Sequence, residues 1–110
     1  MNTNELLERY AAGERSFYFP NLTGTNLSGI DLREIDLHNA KLIRVGLSYA
    51  NLNRANLARA ILSDTNLGGA NLCGANLNGA ILIRTILSGA DLYYANLGGA
   101  LLRHADLYHA

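Results

Sequence analysis

Tryptophan is absent from this 110-residue chain, and proline and cysteine occur once each. A lone cysteine, Cys73, can form no internal disulfide, which removes the small disulfide-stapled secreted scaffolds from consideration. Charge of either sign is not in excess: nine Lys+Arg meet nine Asp+Glu, for a formal net charge of zero. A non-specific nucleic-acid binder needs a basic surface, so none is expected as a partner. No apolar run approaches the roughly 20 residues that span a bilayer, so no membrane association is expected. Met1 to Tyr10 carries acids early and has no continuous apolar stretch, unlike a secretory signal. The expected compartment is the cytoplasm.

What the chain does have is a period. Leucine stands at every fifth position from Leu22 to Leu107, eighteen times without a gap, and Phe17 holds the same phase one step earlier. Five fits neither the 3.6 residues of a helical turn nor the two of a flat strand. The backbone must therefore return to one environment every five residues, as in a coil with one inward leucine per side. Two residues before the leucine stands alanine in eleven of the eighteen units. In an extended stretch these two share a face, so both point inward, large beside small. The residue between them is asparagine or aspartate in twelve units, and its short polar side chain can bond nearby backbone. Glycine follows two residues after the leucine in seven units, supplying the positive φ of a type II turn. In the other eleven a residue such as Glu34, Tyr49, Arg59 or His104 takes that place. Side chains resist positive φ. Type II turns are expected mainly at the glycine corners, and other types, type I among them, at many of the rest.

The unit A-(N/D)-L-x-G resembles that of the pentapeptide-repeat proteins, over roughly Phe17 to Ala110. The resemblance implies an all-β solenoid, a right-handed quadrilateral β-helix in which four units close a coil of twenty residues. Eighteen units make about 4.5 coils, stacked at the sheet spacing of about 4.8 Å. Residues 16–110 form this helix in the expected organisation. Residues 1–15 supply a short N-terminal capping α-helix and linker: Leu6, Leu7 and Tyr10 give an apolar face, Thr3 or Asn4 a cap, and Gly13 a stop. An open solenoid end exposes core side chains and strand edges, which the helix would cover. Phe17, Tyr18 and Phe19 are expected to bridge helix and coil.

Stacking at twenty-residue intervals puts an outward column Asn21, Lys41, Ile61, Ile81, Leu101 beside Thr23, Ile43, Ser63, Ile83, Arg103. Ile43, Ile61, Ile81, Ile83, Ile86 and Leu101 then form a candidate side interface, since contiguous exposed apolar surface favours a partner. The same ladder would also stabilise the stack through like neighbours. The final coil has no evident cap. Leu92, Leu97, Leu102, Leu107 and Tyr108 are a candidate end-to-end interface, through which a homodimer could form; a longer repeat array or a tolerated exposed end are the alternatives.

No Cys/His spacing suits zinc, and no phosphate loop, nucleophile elbow or paired carboxylate stands out. The chain is expected to be non-catalytic, with no metal and no cofactor: a structural or protein-interaction module whose protein partner the sequence does not identify. Glu5 to Gly13 is similar to the leader of short cyanobacterial members. Some members of the family resemble duplex DNA and bind type II topoisomerases. That mimicry needs a strongly negative rod, and this rod carries seven basic residues to six acidic.

Overall fold

The computed structural model describes all residues 1–110. Its one helix, α1, spans Thr3–Ala11. Asn2, ahead of both expected caps, Thr3 and Asn4, accepts the Glu5 amide at 2.8 Å on its side chain. Glu5 in the first turn and Arg9 in the last both complement the helix dipole.

From Ser16 onward the backbone forms fifteen isolated parallel bridges, each joining residue i to residue i+20. A coil is therefore twenty residues long and holds four units, one per side. The bridges stay isolated because each unit spends most of its length turning. The unit around Leu72 shows the whole scheme. The amides of Leu72 and Gly74 donate to the carbonyls of Asp91 and Tyr93 in the next coil, both at 2.8 Å. The Asn71 amide donates to Ala50 in the preceding coil, and the Ala75 amide closes a four-residue turn on the Leu72 carbonyl, both at 3.0 Å. The fifth amide, of Cys73, donates to the Asn71 side chain at 2.9 Å. All five donors are satisfied, as a stack without continuous strands requires.

The corners depart from the sequence expectation. Every non-glycine corner, from Glu34 to His109, has positive φ of 54 to 61°, and the glycine corners lie at 66 to 76°. All eighteen share the handedness that type II geometry demands at its third residue. The corner amide must reach the next coil, as Arg59 does to Asn78 at 2.9 Å and Gly79 to Gly98 at 2.8 Å. In the stacked coils these bonds override the side chain's own preference; at Tyr94, His104 and His109, whose amides reach no further coil, the turn bonds of Ala95, Ala105 and Ala110 to Leu92, Leu102 and Leu107 remain, each 2.9 Å long.

The leucines from Leu22 to Leu87 are fully buried, in one core with the inward alanines. Thr65 and Thr85 enter the same core, each donating its hydroxyl to a carbonyl of the preceding coil, Leu42 and Leu62. At the N-terminal end Leu6 of α1 is fully buried and Leu7 and Tyr10 pack against the core. The Tyr10 hydroxyl donates to the Arg33 carbonyl at 2.8 Å, and the Arg9 guanidinium lies 4.8 Å from the centre of the Phe17 ring. Phe17 joins helix and coil; Tyr18 and Phe19 do not, being 78% and 64% exposed. No helix is long and apolar enough to cross a membrane.

Candidate interaction surfaces

The outward Asn or Asp of each unit is a cap. In all twelve units that have one, its Oδ1 accepts the amide two residues on, at 2.9 to 3.2 Å. This bond fixes the approach to the corner. Two sides of the rod keep the cap in every coil: the ladder Asp31, Asn51, Asn71, Asp91 and the ladder Asp36, Asn56, Asn76, Asn96.

The side that starts at Asn21 does not. Its ladder continues through Lys41, Ile61, Ile81 and Leu101. Ile43, Ile61, Ile81 and Ile83 are half-buried, Ile61 and Ile81 being paired in successive coils, and Leu101 is 53% exposed. Ile86 lies around the corner, 41% exposed, in the ladder of Asn66 and Asp106. The structure thus brings together the expected side-interface residues as one aliphatic strip with a single outlier on the neighbouring side.

Charge follows the same division, which the zero net charge conceals. Lys41, Arg44, Arg59, Arg84 and Arg103 lie on the aliphatic side or its two corners, with one carboxylate, Asp64. Asp31, Glu34, Asp36, Asp91 and Asp106 lie elsewhere on the coil, with Arg33 and Arg54. Arg84 grips Asp64 through two bonds, 2.9 and 3.1 Å long. That hydrogen bonding holds the Asp64 carboxyl below its ordinary range against the opposing effect of desolvation, with smaller attractions from Arg84 and Arg44. Arg44 itself has no carboxylate partner within 4.0 Å.

On the next side an open groove of about 510 Å³ runs between Tyr49 and Ile86 over Ser48, Gly69, Ser88 and Gly89. The Tyr49 ring lies on the Gly69 corner, so close that a Cβ there would sit 2.4 Å from it. No sequence feature flagged this groove; a glycine stacked twenty residues after a tyrosine is the signal that could have done so.

At the last coil, Leu92, Leu97 and Leu102 are half-buried and Leu107 is 44% exposed. Tyr108, 70% exposed, lies 4.1 Å centroid to centroid from His109, and Tyr93 lies 4.3 Å from Tyr94. The edge is rich in donors. The amides of Leu92, Tyr94, Leu97, Gly99, Leu102, His104, Leu107 and His109 correspond to those that elsewhere donate to the following coil, and here find no carbonyl. The same edge carries the carbonyls of Ala90, Ala95, Ala100 and Ala105, whose equivalents elsewhere accept from the following coil, so a two-fold contact could draw on amides, carbonyls and leucine methyls together. No three His, Cys, Asp or Glu side chains group as a metal site would.

A filled solenoid that offers ladders and edges defines a class, the repeat rods that present surfaces. The family model described as "Pentapeptide repeats" matches in eight copies over residues 21–57, 50–89 and 85–110, and the chain belongs to that family. Membership carries the right-handed β-helix fold. No curated protein matches. Among solved structures, alr5209 of Nostoc PCC 7120, a pentapeptide repeat protein, is 38% identical over 90% of this chain and 74% of its own, with a TM-score of 0.41. HetL of Nostoc sp. strain PCC 7120, described as involved in heterocyst differentiation regulation, is 30% identical over 84% of this chain, with a TM-score of 0.43. This chain covers 55% of HetL's length. QnrB1, a plasmid-mediated fluoroquinolone resistance protein, is 22% identical over 86% of this chain and 52% of its own, with a TM-score of 0.58, a likeness of fold alone.

Proposed function

We propose that the chain is a non-catalytic, cytoplasmic protein-interaction rod, built on the right-handed quadrilateral form of the β-helix with α1 as its cap. The observation that carries this is the aliphatic strip. Leucine and alanine fill the bore, so recognition falls to the faces and ends. The face that starts at Asn21 lacks a capping Asn or Asp in four successive coils, at Lys41, Ile61, Ile81 and Leu101, whereas its neighbour lacks one only at Gly46 and Ile86. Solenoids bind through such extended faces. The last coil, with Leu92, Leu97, Leu102, Leu107 and Tyr108, is the second surface, suited to a homodimer or to further repeats.

A DNA-mimic role toward a type II topoisomerase is the alternative. It needs a continuous negative surface, and the cations gathered around the aliphatic side oppose it.

Site-specific photocrosslinking tests the reading. A benzophenone residue replaces Ser63 on the aliphatic side or Asn53 on a fully capped side, in cells that produce the chain. A discrete crosslinked protein from position 63 and none from position 53 is expected. Absence of any protein adduct from either position would refute an interaction role for these faces.

A further inference from the structure

We propose that the aliphatic side binds an acidic amphipathic peptide segment laid along the rod axis. The proposal rests on the interaction-rod reading and gives the partner its chemistry.

Three properties coincide on this side. Its ladder is aliphatic at Ile61, Ile81 and Leu101, with Ile43 and Ile83 beside them. Its cations outnumber its carboxylates, and the one carboxylate, Asp64, is already held by Arg84. Lys41, Arg44 and Arg103 have no acidic partner within 4.0 Å. Finally, the amides of Ile43, Ser63, Ile83 and Arg103 donate to nothing within the chain, because the Asn or Asp that would cap them is missing. In capped units the equivalent amide is reached by an outward side chain, as Cys73 is by Asn71. An acceptor arriving from outside can take the same place.

A ligand that answers all three has carboxylates for the amides and guanidinium groups and aliphatic side chains for the isoleucines. From Lys41 to Leu101 the column runs three coil steps, roughly 14 Å at about 4.8 Å each. That matches about ten residues of α-helix. A nucleic acid would use the cations but leave the aliphatic strip wet, and neither outward column of this side carries an aromatic ring to stack a base. A lipid surface needs apolar side chains that protrude, whereas Ile43, Ile61, Ile81 and Ile83 are half-buried.

The test is fluorescence anisotropy of the full chain with a labelled helical peptide of about fourteen residues, its leucine stripe flanked by glutamates. The same peptide with lysine for glutamate, a dT20 oligonucleotide and phosphatidylglycerol vesicles serve as comparisons. The glutamate peptide is expected to bind in a salt-sensitive way. Two double variants should weaken it by about tenfold or more. One is Ile61→Asn with Ile81→Asn, which removes the anchors and restores the family's own cap, so the fold is kept. The other is Arg44→Gln with Arg103→Gln. Undiminished binding in both variants, no binding to wild type, or tighter binding to the oligonucleotide or vesicles would each overturn the proposal. Any of these alongside an intact crosslink from position 63 would reject the acidic segment and leave the interaction rod standing.

Discussion

Replacing Glu34 by glycine should stabilise the protein. Glu34 sits at a corner with φ of 61°, and its exposed side chain makes no hydrogen bond or ion pair within the chain. Its amide donates to the Asn53 carbonyl at 2.9 Å, a bond that glycine keeps. Left-handed backbone costs an ordinary L-residue about 1–2 kcal/mol, and glycine almost nothing. Glycine's extra freedom in the unfolded chain takes back about 0.4–1 kcal/mol. The expected net gain is about 0.5–1 kcal/mol. Asn39→Gly should gain less, because asparagine tolerates this region and because its Oδ1 accepts the Arg59 Nε at 3.3 Å. The mirror experiment is Gly24→Ala. Gly24 has φ of 76°, and a Cβ there would meet nothing within 4 Å. Its cost is therefore conformational alone, of similar size and opposite sign. Urea denaturation reports all three as shifts in midpoint at constant slope, with near- and far-ultraviolet probes compared to confirm one transition. A Glu34→Gly protein less stable than wild type, or Gly24→Ala without cost, would refute the idea that the corners hold side chains against their preference.

Burial should divide the unit sharply. Leu72→Ala, at a fully buried leucine, should cost about 2–5 kcal/mol, and Asn53→Ala should fall within about 0.5 kcal/mol of wild type in the same urea series. Acid should also weaken the fold. Glu14, Asp31 and Asp64 are each held below the usual carboxylate range, chiefly by side-chain hydrogen bonds from Arg9, Arg33 and Arg84. Their contribution is complete above the unfolded value near pH 4 and is lost as pH falls through the lower folded values. Asp31 and Asp64 are exposed and Glu14 is only partly buried, so the slope should be shallow, and Asp64→Asn should make it shallower still below pH 4 in thermal melts. Self-association at the last coil would raise the light-scattering mass of a concentrated solution above 11.9 kDa. Leu107→Lys should then abolish the increase and Ile81→Lys should not, with circular dichroism confirming both folds; a monomer throughout would rule out both self-contacts.

The leucine column was legible because its cause is local and repeated: every unit needs one large inward side chain, and no other residue replaces it from Leu22 to Leu107. That the Asn and Asp residues bond nearby backbone was legible for the same reason, since the amide that Asn71 reaches belongs to its own unit; which amide it is came only with the structure. The corner geometry was not. Read by itself, Arg59 argues against positive φ, but its amide is committed to Asn78 and the next residue's to Leu57. Two backbone bonds outweigh one side chain's reluctance, and neither can be seen in a single five-residue unit.

The charge distribution was hidden in a different way. Net charge is a sum over the chain, and coiling sorts that sum by position modulo twenty. Lys41 and Arg44 are far in sequence from Arg84 and Arg103 yet share one side of the rod with them, while Asp31, Glu34 and Asp36 fall on others. The same sorting gathers Ile61, Ile81 and Leu101, each an isolated exception to the Asn/Asp rule until the coils are stacked. A lost cap leaves an amide without a partner in the chain, which costs stability, and at Ile61, Ile81 and Leu101 it also puts an aliphatic side chain on the outer face. Scattered through the repeat, such substitutions would read as tolerated noise. Four successive coils without the cap on one side, from Lys41 to Leu101, place every one of these costs where a single elongated, acidic and partly apolar partner could offset them together.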